Sequence, residues 1–419
     1  GIPALHRPHF WPYTESFGSL LPATLNIMDQ NRSLQPADVS SQPEIECIPY
    51  SQWNKSFRQI AAQMTVAQLF GANRLQFSIY DHMGNDPDDD PARATFLKAW
   101  HPALDHLSEL FPATLRTQGI GVPWSEDMGR SIETAHGSSW EELVCPSRGW
   151  ANWLGAAGLA TSVHADSEVT AVGGPVVHSF DDEQIKSWLQ RGLLLDAYAA
   201  RILASRGFGA QIGIDQLTPL TQENRPFAVE ACTHPDFTFR PEALISVNSE
   251  FFTPYGQKLL QGELAAGAFE ITELRGPRQE KMGHGITGFV NEWGGRVAVT
   301  PWEAETPVHM NSLRADQLAR LTTFLAGGKA CLRVSGGAWL VPLMMSNQTS
   351  WRLAIWNGSN DAIAKVTVHG TIPWQSLEYA FLLRATGERI DVTATGPEIE
   401  LPAPMGAWEC LVLAGSSAG

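Results

Sequence analysis

The sequence predicts a mixed α/β protein with a β-rich end. The last three units of a (β/α)8 barrel are expected over residues 1–115, an open α/β domain over 116–330, and a small β-sandwich over 331–419. Three observations carry this. The stretch Glu44-Ile45-Glu46-Cys47-Ile48-Pro49-Tyr50 reads as a strand ending in carboxylates and an aromatic ring. A helix-like run to Gly71 and a second strand over 74–80 follow it, and that succession is a segment of a β/α barrel with its rim. Residues 119–214 alternate strands and helices, as a parallel sheet requires. From residue 330 onward, short alternating segments are separated by turns such as Asn357-Gly358 and Thr386-Gly387, the spacing of an all-β sandwich.

Taken in order, Phe10 to Glu15 looks like a strand end running into a loop, and a helix is expected within 19–30. Phe57, Ile60, Ala61, Met64 and Gln68 recur at helical spacing, so 56–70 is an amphipathic helix, with Gly71 as its C-cap. The strand over 74–80 leads into an acidic loop, Asp86 to Asp90, and a helix over 96–110. These are three β/α units. A β/α barrel needs eight, over about 250 residues, so the rest of the barrel is expected from a portion outside this sequence or from a companion chain.

In the second region, strands are expected at 119–124, 159–164, 169–173 and 208–214, and helices at 149–158, 182–192 and 196–205. A strand over 294–299 and a helix over 314–325 follow. In the third region, strands are expected near 339–344, 351–356, 364–368, 379–383, 390–392, 399–401 and 408–413.

Composition narrows the function classes. The net charge of −15 speaks against nucleic acid and against an anionic membrane surface. No apolar run approaches the ~20 residues of a membrane span. The five cysteines are scattered, with no C-x-x-C pair, so neither a zinc knuckle nor a disulfide framework is expected. A reducing, cytoplasmic setting is the inference. The acidic run 86–90 lacks the terminal Glu of a calcium loop and reads as a solvated loop. No metal or other cofactor is expected. Gly207-Phe208-Gly209 precedes its expected strand instead of following one, which fails the context of a dinucleotide loop. The 15 tryptophans suit both core packing and sugar stacking.

The domain order resembles the C-terminal part of a clan A retaining β-glycosidase of the β-galactosidase type, glycoside hydrolase family 42 or a relative. The resemblance rests on Glu44 to Ser56, Gln63 to Tyr80, Trp188 to Ala200, Arg206 to Gly209 and Asn291 to Val299. It implies a barrel, an oligomerising domain similar to a class I glutamine amidotransferase, a β-sandwich and a homo-oligomer, trimeric in that family. It also implies a double displacement. A carboxylate at the end of the seventh strand attacks the anomeric carbon, and an acid from the fourth strand, roughly 5 Å away, protonates the leaving oxygen.

Counted back from the domain boundary, 44–50 is the seventh strand and 74–80 the eighth. The nucleophile is then Glu46, with Glu44 second; two residues apart, they share one face, so parity does not separate them. Glu46 lies nearer the strand's C-terminal end. The fourth strand, and the acid with it, is not in this sequence. Trp11, Tyr13 and Glu15 end the sixth strand, where a tyrosine orients the nucleophile or packs the rim. Tyr50, Trp53 and Tyr80 are candidate sugar platforms, with core packing the stronger expectation for Trp53. Lys55 and Asp81 are candidate hydroxyl binders.

Amidotransfer is a second chemistry for the α/β domain, but Cys145 and Cys232 do not sit on the tight strand-to-helix turn that a cysteine nucleophile needs. The domain therefore reads as a scaffold. The competing reading of the whole chain is a non-catalytic assembly or carbohydrate-binding subunit.

Overall fold

The computed structural model describes residues 5–8, 12–36, 39–48, 51–81, 84, 86–131, 148–219, 229–246, 260–276, 278–305 and 309–417. Helices and sheets are mixed throughout. The chain forms two compact units, one built from Gly1–Gln118, Gly158–Val163 and Leu332–Gly419, the other from Gly119–Ala157 and His164–Cys331.

The first unit begins as alternating strands and helices. β1 (Leu5–His6) leads to α1 (Leu21–Leu34); β2 (Ser40–Ser41) and β3 (Glu44–Glu46) lead to α2 (Phe57–Leu69); β4 (Gln76–Ser78) leads to α3 (Pro91–Leu110) and then β5 (Arg116–Gln118). β1 pairs parallel with β2, and Gln42 and Glu44 donate their N–H groups to His6 O (2.8 Å) and Pro8 O (3.2 Å), which extends that pairing to β3. β3 in turn pairs parallel with β4. Three β/α units therefore lie side by side; no closed barrel forms among the described residues.

The helix ends follow their sequence signals. Ser56 Oγ accepts the Gln59 N–H at the start of α2, and Gly71, at φ +79°, closes its other end. Asp90 caps α3 and pairs with Arg93 at 2.9 Å, so α3 begins at Pro91, a turn ahead of the expected start. The acidic run 86–90 thus includes two turn-capping residues, since Asp86 likewise accepts the Asp88 N–H.

These helices are covered by a six-stranded antiparallel sheet in the order Arg389–Asp391, Leu377–Leu383, Cys410–Ser416, Ser350–Asn357, Leu340–Ser346 and β5. Its side chains alternate between two cores. Val341, Leu343, Met345 and Trp356 pack on the helices, in one cluster with Ile45, Ile60, Met64 and Trp100. Leu340, Leu353, Ile355 and Leu411 pack on a second sheet of Arg333–Ser335, Ile363–His369 and Glu398–Met405. The strand expectations for the C-terminal region match within a few residues, with Arg333–Ser335 added.

The second unit holds a sheet whose strands Arg296–Val299, Gly192–Leu195 and Val169–Val172 run parallel in that order, with Ile120–Gly121 parallel beyond them. Thr287–Val290 extends it antiparallel. Two expectations are corrected here. The helix expected over 182–192 stops at Leu189, and Gly192–Leu195, of which the last three residues carry no expected element, is a fully buried strand; four apolar residues show no period that separates strand from helix. Residues 208–214 were expected as a strand, but Gly207 turns the chain at φ +92°, Gly209–Ile212 is helical, and the strand starts at Ile214.

Cys47, Cys232, Cys331 and Cys410 are free thiols. No helix among the described residues is long and apolar enough to cross a membrane.

Asp29 on α1 is a buried carboxylate that ties the first unit together. It accepts the Thr117 hydroxyl (2.9 and 2.8 Å) and the Val163 N–H (2.9 Å). Burial pushes its pKa up to about 6, against the opposing pull of those bonds and of Arg32 and Arg116. The folded state therefore holds the proton more tightly than the unfolded chain does. This group's contribution is most favourable below about pH 4 and is lost as pH rises through about 6. An asparagine can still accept from Val163 and donate to Thr117 without a charge to bury. Asp29→Asn is expected to gain on wild type by on the order of 1–3 kcal/mol between pH 4 and 7. Asp29→Ala is expected to lose about 1–3 kcal/mol by stranding its donors. Urea unfolding at the two pH values measures both, and a pH-independent gap between wild type and Asp29→Asn would contradict this account.

Candidate functional site

The parity of β3 decides which way its carboxylates face. Ile45 and Cys47 are fully buried in the cluster that the helices cover. Glu44 and Glu46 alternate with them and point to the opposite face of the parallel strands, the face that carries the rim chemistry of a β/α unit.

The two carboxylates occupy different surroundings. Glu44 is 4% exposed; it accepts from Arg7 Nη1 at 3.0 Å and from Gln76 Nε2 at 3.4 Å. It is thus cross-braced by the strands on both sides. Glu46 is half-buried at the strand's C-terminal end, opposite Ser78 of β4. The geometry therefore distinguishes two residues that periodicity alone could not.

Tyr13 reaches this end of β3 because its carbonyl accepts the Ile48 N–H at 3.0 Å. Burial is the first cause that raises its phenol pKa, and the charges of Glu46 and then Glu44 raise it further, with Arg7 opposing. The phenol therefore stays a neutral hydrogen-bond donor beside two carboxylates.

Lys55 does not face outward. Its side chain is buried, and Nζ donates to the Glu46 carbonyl and to Gln63 Oε1 (2.8 Å). Burial brings its pKa down to about 8, while the charges of Cys47, Glu15 and Glu46 pull the other way, so the ammonium persists at neutral pH. Burial also pushes the adjacent Cys47 thiol up, despite Lys55 and Arg93, which leaves it a poor nucleophile.

Glu15 sits at the N-terminus of α2, where its carboxylate accepts the Ser56 N–H (2.7 Å) and hydroxyl (3.0 Å). It is occupied as a helix cap. Tyr80 lies half-buried against the helix core, with the Arg93 guanidinium 5.9 Å from its ring centroid. Asp81 follows it, half-buried past the end of β4. Trp11 and Tyr50 lie outside the described residues.

Trp53 corrects its expectation: it is 91% exposed instead of packed in the core. Ser51 Oγ accepts the Trp53 N–H and caps a short 3-10 turn, which carries the indole outward one loop beyond Glu46.

Sequence reasoning missed the polar network behind the site. Gln59 exchanges hydrogen bonds with Ser16, accepting its N–H at 3.0 Å and donating to its hydroxyl at 2.9 Å; Gln63 donates to Pro12 O at 3.1 Å. Both glutamines are buried and i, i+4 on α2, so they strap the segment that carries Tyr13. The signal was visible as glutamines recurring within an otherwise apolar helix.

Neither a protein-family profile nor a curated protein sequence matches the chain. Its fold is similar to several solved glycoside hydrolases. One is α-L-fucosidase isoenzyme 2 from Paenibacillus thiaminolyticus, with TM-score 0.60 and 12% identity, covering 99% of this chain and 65% of that one. A second is a β-galactosidase from Rahnella sp. R3, with TM-score 0.60 and 12% identity, covering 99% of this chain and 60% of that one. A third is a catalytic mutant of a GH42 β-galactosidase from G. stearothermophilus, with TM-score 0.57 and 10% identity, covering 99% of this chain and 59% of that one. The likeness is one of fold, and the chain spans less than two thirds of each of these structures.

The phenol of Tyr13 tests the electrostatics of the site. An ultraviolet titration, isolating Tyr13 by difference from Tyr13→Phe, is expected to show ionisation above the ordinary tyrosine value. Glu46→Gln should lower that midpoint more than Glu44→Gln does. Equal midpoints in wild type and Glu46→Gln would remove Tyr13 from the field of Glu46.

Proposed function

We propose that this chain carries the nucleophile side of a retaining, exo-acting β-glycosidase active site. Glu46 attacks the anomeric carbon to form a covalent glycosyl-enzyme, which water then hydrolyses. The acid that protonates the leaving oxygen is a glutamate supplied by barrel units outside this sequence, from a preceding portion or a companion chain. Tyr13, neutral and beside Glu46, orients the nucleophile, and the exposed Trp53 offers a face to a sugar ring.

One observation carries the reading: Glu46 ends a parallel strand on the face away from the helices, half-buried and next to a phenol, while Glu44 is taken up by Arg7 and Gln76. The fold likeness to β-galactosidases and a fucosidase supports the reaction class and leaves the sugar open. In this reading the second unit is a scaffold that serves a homo-oligomer, and the enzyme works where thiols stay reduced. A non-catalytic assembly or carbohydrate-binding role is the competing reading.

Incubating the complete assembly with a 2-deoxy-2-fluoro aryl β-glycoside series separates the two. A glycosyl adduct on the peptide containing Glu46 is expected, and Glu46→Gln should lower turnover by roughly three orders of magnitude or more. Turnover that survives Glu46→Gln unchanged would sink the assignment.

A further inference from the structure

We infer that Lys55 is the positioning residue of Glu46: from behind the strand it holds the Glu46 carbonyl, ties it to α2 through Gln63, and lends a positive charge that favours the ionised carboxylate. This deepens the reading of Glu46 as the nucleophile and rests on it for its catalytic meaning; the coupling itself does not depend on turnover.

The geometry is unusual for a lysine. Its ammonium is taken out of water, which is costly unless hydrogen bonds and opposite charge compensate. Two acceptors are present, the Glu46 carbonyl and Gln63 Oε1, and both are contributed by the elements that meet at the site. Gln63 passes the constraint on by donating to Pro12 O, next to Tyr13. One ammonium therefore fixes the strand end that presents the carboxylate and, through Gln63, the segment that presents the phenol.

A neutral side chain of the same shape would keep part of the packing and none of the field. The charged and titratable groups around this centre are Arg7 just after β1, Tyr13 and Glu15 from the segment that follows, Glu44 from β3, Cys47 just after β3, and Arg93 from α3. Of these, Cys47 is coupled to Lys55 itself and is removed by Cys47→Ser, while Tyr13, held above the ordinary phenol value, ionises beyond the alkaline limb that is followed.

The test reads the carboxyl directly. The chain is labelled with 13C at glutamate Cδ, in the Cys47→Ser background, and the Glu46 resonance is assigned by its loss in Glu46→Gln. In the protein with Lys55 intact, raising the pH from 6 to 10 is expected to move the Glu46 signal with a midpoint near 8, as Lys55 loses its proton. In Lys55→Met that alkaline step should vanish. The acid midpoint of Glu46 should also move upward, because the positive charge behind the strand is gone.

A Glu46 signal that is flat between pH 6 and 10 overturns the inference even if Lys55→Met fails to fold, because that measurement needs no Lys55 variant. The two proposals also fail separately. Loss of turnover in Glu46→Gln with a flat alkaline limb removes Lys55 alone. An alkaline step with undiminished turnover in Glu46→Gln removes the nucleophile and leaves the coupling.

Discussion

A sheet with two apolar faces has no side to turn to water, and the first unit is built around that condition. Along Leu340–Ser346, alternate residues enter different cores: Val341, Leu343 and Met345 go to the helices, Leu340 and Met344 to the small second sheet. The same split recurs at Leu353, Ala354, Ile355 and Trp356. These two strands are therefore buried over most of their length, and a slip of one residue would exchange the two cores wholesale. Fixed in register, the sheet gives α1, α2 and α3 a rigid floor, and β5 joins its edge directly.

The parallel strands inherit their orientation from that floor. Ile45, Cys47 and Ile79 turn to the helices, which leaves Glu44 and Glu46 to the other face. Polar groups then divide the work by depth. Arg7 and Gln76 brace Glu44 across the strands, Lys55 and Gln63 lie behind Glu46, and Glu15 and Gln59 strap the loop before α1 onto α2. α2 is consequently buried on nearly all sides instead of on one stripe, and its glutamines are satisfied by neighbouring segments.

Much of this is legible in the sequence where local chemistry decides the outcome. Gly71 announced a helix end because a left-handed turn suits glycine, and the C-terminal strands announced themselves by turn residues at regular spacing. Legibility fails where tertiary surroundings decide. Gly192–Leu195 is too short to carry a period, and Gly207 redirects a run that reads as strand. At the site, Glu44 and Glu46 share parity and differ only in who pairs with them, which depends on Arg7, 37 residues away. Lys55 and Trp53 exchange the roles their types suggest, the lysine inside and the indole out, because an acceptor pair awaits the ammonium while a capped turn lifts the ring.

The shared core also sets an order of events during synthesis. The helices that flank Glu46 belong to the first 118 residues, and the strands that cover them begin after residue 331. At about 5–20 residues per second, a ribosome takes on the order of tens of seconds to make the intervening chain. Through that interval Ile60, Met64 and Trp100 await the partners that will bury them, and those contacts close loops of more than two hundred residues. Assembly of the carboxylate face is therefore among the late steps in the life of the nascent chain. A cell that makes this protein must shield an apolar helical layer until the C-terminal strands emerge.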